Sequence, residues 1–357
     1  MIQKKCFSKE WIDEISTKLG YGDKLLIEKS IRALSLLEML VSSGCPFIFK
    51  GGTALMLILN SATHRLSIDI DIICPPGTNI EDFLKNSSKY GFSRLEFVER
   101  KQREGVDIPK THSKFFYQLA YNSGNNTESY ILLDVLYEDS HYSEIKEIPI
   151  ETPFLLLDGA ALKVKTPSAS DILGDKLTAF APNTTGIPYL KNGKSRSMEI
   201  IKQLYDVGRL FDVITDAKIT SNAFKKIAKI ELSYRKSPSK IAQVISDIRN
   251  TALCISTRGK EGIGDFNSLQ DGIKRIGAFM YKQHYFIEDA IADSAKAAYL
   301  ATLIEKNVFA IEKYSNDPKT VASLNIEDSL PSKLNKLKKS SFEAYFYWAK
   351  VSKLLKQ

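Results

Sequence analysis

Residues 50–72 read Lys-Gly-Gly-Thr-Ala-Leu-Met-Leu-Ile-Leu-Asn-Ser-Ala-Thr-His-Arg-Leu-Ser-Ile-Asp-Ile-Asp-Ile, and they constrain the chain more than any other stretch. Two unlike devices lie close together here. Gly51-Gly52-Thr53 is a turn nearly free of side chains, where backbone N–H groups can approach an anion. Further on, Ser67-Ile68-Asp69-Ile70-Asp71-Ile72 alternates strictly between polar and aliphatic residues. That alternation is the pattern of a strand with one wet face and one buried face. Its period of two puts both carboxylates on one side, roughly 7 Å apart along the strand. Aspartates that close repel unless a cation lies between them, and hard divalent cations such as Mg²⁺ choose carboxylate oxygen. A phosphate-cradling turn beside a divalent-cation site points to chemistry on a nucleoside triphosphate.

Each device alone has a plainer reading. A glycine pair before a helix is often only a tight turn, and Asp-x-Asp can be a solvated strand face. Two rivals drop out on pattern. The run lacks the Asp/Asn spacing, central glycine and terminal glutamate of an EF-hand loop, and no Gly-Lys-Ser/Thr follows the glycines as in a P-loop.

The pattern Gly51-Gly52-Thr53-x-Leu55, followed by Arg65-x-Ser67-x-Asp69-Ile70-Asp71, resembles the first motif of the AbiEii/AbiGii toxin family, which includes the MenT-like toxins. These proteins belong to the polymerase-β-like nucleotidyltransferases. Three further pieces of the family pattern follow in order: Asp134 in Tyr130–Leu136, Asp175-Lys176-Leu177, and Lys202-Gln203-Leu204-Tyr205-Asp206. The resemblance covers residues 25–215. The chain departs from the pattern at Leu57, where many members carry lysine, and at Lys202-Gln203, where the last motif often begins Arg-Asp. Neither departure touches the expected metal site.

The resemblance implies in-line attack on the α-phosphorus of a nucleoside triphosphate with release of pyrophosphate. It implies Asp69, Asp71 and Asp134 as ligands of Mg²⁺ or Mn²⁺, with Asp134 on the metal that activates the acceptor hydroxyl. Gly51, Gly52, Thr53, Arg65, Ser67, Lys176 and Lys202 would bind the nucleotide, and Lys176 and Asp206 join the three aspartates as catalytic residues. A toxin of a bacterial toxin–antitoxin or phage-defence pair is expected, with a cognate antitoxin encoded alongside. Family members modify tRNA 3′ ends, so tRNA as acceptor and blocked translation follow. Two alternatives stay open: an enzyme of the same fold acting on a protein or small molecule, such as an antibiotic, and a non-catalytic binding protein.

Read from the residues alone, Asp134 is unusual, because an ionised carboxylate in an apolar strand needs a metal or a charged partner. Lys176 could equally be a solvated helix lysine, and Lys202 with Asp206, one turn apart, could be a surface ion pair.

The 357 residues are long for one domain and comfortable for two. No apolar run approaches the ~18 residues that span a bilayer, and Met1–Cys6 lacks the pattern of a signal peptide, so a cytoplasmic protein is expected. The four cysteines and four histidines are scattered without metal-ligand spacing. Net charge is +8, a surplus that favours a polyanionic partner.

Helical periodicity runs from Asp23, an expected N-cap, to Gly44. A short strand at 47–49, a helix at 53–59, a helical stretch at 80–90 and strands at 95–98, 115–121 and 130–137 follow, the last two joined by a turn beginning at Asn122. Residues 168–180 read as a helix with Ser168 and Asp171 at capping-box spacing. The Pro-, Gly- and Asn-rich segment 181–197 carries Lys191, Lys194 and Arg196, and could close over substrate. Beyond residue 215 helices are expected at 224–233, 238–248, 269–286 and 290–311. The last 25 residues, Lys333–Gln357, hold seven lysines against the single Glu343, interleaved with Phe342, Tyr345, Phe346, Tyr347 and Trp348. That mixture fits RNA binding through Lys336, Lys338 and Lys339, and fits a docked amphipathic helix equally well. The expectation is an α+β protein: a polymerase-β-like nucleotidyltransferase core over 1–215 and a mainly helical domain with a basic tail over 216–357.

Overall fold

The computed structural model describes residues 1–98, 109–123, 126–327 and 329–357. The chain forms two compact units. One takes Met1–Ser168 with Ala278–His284, the other Ala169–Gly277 with Tyr285–Gln357. The boundary expected near residue 215 falls inside the second unit, so the helices carrying Lys176 and Asp206 group with the helical C-terminal half.

The first unit opens with α1 (Lys9–Leu19) and α2 (Lys24–Ser42). Asp23 caps α2 as its sequence suggests, accepting from the Leu26 N–H at 3.0 Å. Five strands, β1 (Ile48–Lys50), β2 (Ile70–Cys74), β3 (Arg94–Val98), β4 (Lys110–Ser123) and β5 (Asn126–Tyr137), form a sheet in the order β1-β2-β5-β4-β3. Only β2 and β5 run parallel; the other pairs are antiparallel. Between β1 and β2 lies α3 (Gly51–Leu59). The period of two holds through the sheet: Phe115, Tyr117, Ile131, Leu133, Val135, Ile70 and Ile72 are buried, with α2 packed across β2, β4 and β5. A second, two-stranded sheet pairs β6 (Ile145–Pro149) with β7 (Lys163–Pro167). The helical stretch expected at 80–90 is two short 3₁₀ turns, Ile80–Phe83 and Ser87–Tyr90. Gly91, at φ +82°, ends the second turn in left-handed backbone. The turn expected after Asn122 lies partly outside the described residues.

Among the described residues the second unit comprises α4 (Ala169–Ala179), the hairpin β8 (Leu190–Lys191) and β9 (Lys194–Ser195), and seven more α-helices. These are α5 (Ser197–Val213), α6 (Lys218–Tyr234), α7 (Ile241–Ser256), α8 (Phe266–Ile276), α9 (Ile287–Lys306), α10 (Leu337–Ser340) and α11 (Phe342–Lys356). The single helix expected over 269–286 is cut short at Ile276. Residues 278–284 instead join the first unit, where Met280 bridges Arg65 and the Tyr281 N–H donates to the His64 carbonyl at 2.9 Å.

Candidate active site

The sheet register lines up one row of side chains across five strands: Lys50, Asp71, Asp134, His112 and Val98. Asp71 and Asp134 are direct partners on the parallel pair β2 and β5. Asp69 is exposed, one residue before β2, and shares the face of Asp71. The register thus brings the three aspartates of the sequence motifs to one end of one sheet face.

Gly51 and Gly52 open α3 directly after β1, with Gly51 at φ +82°. A Cβ at Gly51 would meet Asp71 Oδ2 at 2.1 Å, and one at Gly52 would meet Ser67 Oγ at 2.7 Å and Arg65 Nη2 at 2.8 Å. Gly51 is required by its left-handed backbone together with Asp71, whereas a side chain at Gly52 would push aside the Ser67 hydroxyl and the Arg65 guanidinium. The first N–H groups of α3 lie beside the carboxylate row, where a helix N-terminus favours an anion. Thr53 is buried, and its hydroxyl donates to the Asp69 carbonyl at 2.6 Å. Its side chain thus fixes Asp69 and leaves its backbone N–H for an anion. Arg65 is buried and donates to the Leu66 carbonyl at 3.2 Å. Ser67 is held from behind by the Ser30 hydroxyl, which donates to its carbonyl at 3.1 Å.

His112, one of four histidines that look scattered in the sequence, is buried with Nδ1 2.5 Å from Asp134 Oδ1. An N–H donated to a carboxylate at that separation is a charge-assisted bond, and it fixes the orientation of Asp134. Its signal was the strand register, which sequence spacing does not show. Lys50 is the register partner of Asp71 across β1 and β2, a neighbour that sequence spacing does not show either. Among the described residues no group of three or more His, Cys, Asp or Glu forms a preformed metal cage. The paired Asp71 and Asp134 with the exposed Asp69 are nevertheless an all-oxygen donor set, the chemistry a hard divalent cation takes.

In the second unit, Lys176 Nζ lies 2.9 Å from Asp206 Oδ2, with both side chains buried. Two residues of separate sequence motifs thus form one ion pair between α4 and α5. Lys202 is half-buried one turn before Asp206. Segment 181–197 is not an open loop. The Asp247 carboxylate accepts from Asn183 N and Nδ2 at 2.8 and 2.7 Å and from Thr184 Oγ1 at 2.9 Å. Asn192 and Gly193, at φ +53° and +71°, make the tight turn between β8 and β9. Lys191 and Lys194 are exposed there, while Arg196 pairs with Glu199 at 2.8 Å.

The basic tail resolves toward the docked helix. Tyr345, Phe346, Tyr347 and Trp348 are buried; Trp348 Nε1 donates to Ser256 Oγ at 2.9 Å, and Tyr347 stacks on Tyr299. Rings buried in this way cannot stack on bases. Lys338 donates to the carbonyls of Ala322 and Leu324 at 2.9 and 3.1 Å, whereas Lys336 and Lys339 are exposed.

A mixed sheet with paired carboxylates beside a glycine turn that opens a helix is the construction of a nucleotidyltransferase. The sequence model of a family described as "Nucleotidyl transferase AbiEii toxin, Type IV TA system" matches residues 34–316. The chain belongs to this family: it is a nucleotidyltransferase toxin of the type IV toxin–antitoxin class, acting on a nucleoside triphosphate and paired with an antitoxin. Among solved structures it is similar to MenT4, a nucleotidyltransferase toxin from Mycobacterium tuberculosis. The two are 12% identical over 82% of this chain and 89% of that one, with a TM-score of 0.52. It is also similar to JHP933 from Helicobacter pylori, with 14% identity over 79% of this chain and 94% of that one and a TM-score of 0.41. A comparison with curated proteins finds no match. No helix among the described residues is long and apolar enough to cross a membrane.

Proposed function

We propose that the protein transfers a nucleoside monophosphate from a nucleoside triphosphate to the 3′ end of an RNA, tRNA above all, and blocks translation in the cytoplasm as the toxin of a phage-defence system. The observation that best supports this reading is the direct pairing of Asp71 with Asp134, beside the turn that Gly51 and Gly52 leave open.

Asp69, Asp71 and Asp134 are the residues that would hold Mg²⁺ or Mn²⁺. Divalent cations at such a site polarise the α-phosphate and make a hydroxyl oxygen a better nucleophile at neutral pH. The N–H groups that begin α3 cradle the phosphates, with the positive end of the helix dipole aimed at them. Thr53 and His112 keep Asp69 and Asp134 in place. Arg65 and Ser67 back the glycine turn. Lys176, oriented by Asp206, offsets triphosphate charge as a compact ammonium, and Lys202 contributes a second cation. Exposed Lys191, Lys194, Lys336 and Lys339 attract the RNA backbone, with Arg196 and Lys338 held by protein partners beside them.

The test is transfer of label from each of the four α-labelled ribonucleoside triphosphates into purified tRNA, total protein and aminoglycoside, with Mg²⁺, Mn²⁺ or chelator present. Label confined to tRNA, requiring a divalent cation and absent with Asp71→Ala, is the expected result. Label in protein or drug alone would replace RNA as the acceptor.

A further inference from the structure

The face of the five-stranded sheet that carries Asp71, Asp134 and His112 does not end at them. The period of two puts Leu132 and Tyr130 on the same side of β5, Lys114 and Phe116 on the same side of β4, and Arg94 on that side of β3, where it pairs in register with Phe116. The opposite face buries Phe115, Tyr117, Ile131 and Leu133 almost completely, while Tyr130 is 42% exposed. Its ring lies 5.6 Å from that of Phe116. The ammonium groups of Lys114 and Lys29 stand 4.8 and 5.9 Å from the Tyr130 centroid, and the Arg94 guanidinium lies 3.7 Å from that of Phe116. Two rings, each with a cation over it, thus extend outward from the carboxylate row.

We propose that this strip is the platform on which the single-stranded 3′-terminal bases of the RNA acceptor stack, with Tyr130 as its central ring. The proposal rests on the RNA-acceptor reading above. An exposed ring beside cations, as Tyr130 is, is what an unpaired base binds, and a guanidinium plane such as that of Arg94 over the half-buried Phe116 serves as well as a ring. Glu128 accepts from Arg94 at 3.0 Å, and Glu96 also pairs with it. These two acids hold the guanidinium over Phe116 and cancel most of the strip's charge. Arg94, Lys29 and Lys114 against Glu96 and Glu128 leave little net positive charge. A duplex backbone needs a larger surplus, whereas stacked bases with one or two phosphate contacts do not. Position agrees with this choice. Tyr130 is four residues before Asp134, about 13 Å along the strand at ~3.3 Å per residue. A base on Tyr130 would therefore lie roughly four stacked nucleotides, at ~3.4 Å each, from a hydroxyl at the carboxylates.

The test uses the full chain with tRNA and a short fluorescent single-stranded RNA of the same 3′ sequence, reading affinity by anisotropy and the KM values for RNA and for nucleoside triphosphate. Tyr130→Ala should weaken single-strand binding and raise the RNA KM by about tenfold, the loss of one stacked base, while leaving the triphosphate KM unchanged. Tyr130→Phe should retain most of the affinity. Lys114→Gln should lower the salt dependence of single-strand binding by about 0.7 in log–log slope, one phosphate's worth of released counterion. Tyr130→Ala also removes the contact with Phe116, so a melting curve and Tyr130→Phe separate lost stacking from lost stability; Phe116→Ala provides a second ring variant. If wild-type protein modifies RNA but Tyr130→Ala and Phe116→Ala leave affinity and RNA KM unchanged, the platform is overturned and the RNA reading stands. If wild-type protein neither binds nor modifies RNA, the acceptor reading fails and the platform falls with it. Retention of a protein acceptor that depends on Tyr130 would likewise overturn it.

Discussion

Gly51 has no room for a side chain because Asp71 fills it: a Cβ there would stand 2.1 Å from the Asp71 carboxylate oxygen. Turn and carboxylate are thus one object, and a change at either displaces the other. Gly51→Ala adds this clash to the roughly 1–2 kcal/mol cost of an L-residue in left-handed backbone. Displacement of Asp71 by even 1 Å should lower transfer on the order of 10²-fold. Kinetics beside a melting curve checks this; an active Gly51→Ala protein would show that the turn does not govern Asp71.

His112 should act through Asp134 and not on substrate. His112→Ala frees the carboxylate it holds at 2.5 Å, so kcat should fall on the order of 10-fold or more, the usual scale for partners of metal-binding side chains, with the triphosphate KM little changed. Mn²⁺ affinity, read by calorimetry without substrate, should weaken alongside. Asn carries an N–H donor close to the position of Nδ1, so His112→Asn should recover part of both losses. Equal losses in the Ala and Asn variants would mean that His112 only fills space.

The buried pair Lys176–Asp206 confounds the simplest substitution. Removing either partner leaves an unpaired buried charge, a cost of about 3–5 kcal/mol, so Lys176→Ala is expected to lose stability as well as activity. The double variant Lys176→Met with Asp206→Leu replaces the pair by apolar groups of similar size and should regain most of the stability. Transfer should remain absent in that double variant. Recovery of activity together with stability would reduce the pair to a strut between α4 and α5.

What was readable in the sequence was local. The Gly-Gly turn, the alternation through Asp69 and Asp71 and the Asp23 cap each rest on neighbours a few residues apart. The structure has the turn and the cap, and it has the alternation over Asp69–Ile72, with the strand beginning at Ile70 and not at Ser67. What was not readable depends on pairing across the fold. His112 meets Asp134 through the β4–β5 register, and Lys176 meets Asp206 across 30 positions. The helix over 269–286 failed because Met280 and Tyr281 find strand-like partners at Arg65 and His64. Periodicity describes a face and not the partner that competes for it.

The C-terminal segment separates two readings that its composition left equal. Trp348 is buried and bonded to Ser256, so Trp348→Ala should cost about 3–5 kcal/mol as a large core truncation. Lys338 donates to two carbonyls between α9 and α10 that water can reach, so Lys338→Ala should cost about 0.5–1.5 kcal/mol. Exposed Lys336 and Lys339 should change stability by less than about 0.5 kcal/mol on conversion to Gln. If these two lysines neutralise phosphates of the RNA backbone, their joint replacement lowers the log–log salt slope of tRNA binding by about 0.7–0.9 for each phosphate left without its lysine. Chemical denaturation and salt-titrated anisotropy on the same variants give both answers. A salt slope identical to wild type in the Lys336→Gln, Lys339→Gln protein would confine RNA binding to other surfaces and leave the tail a packing helix alone.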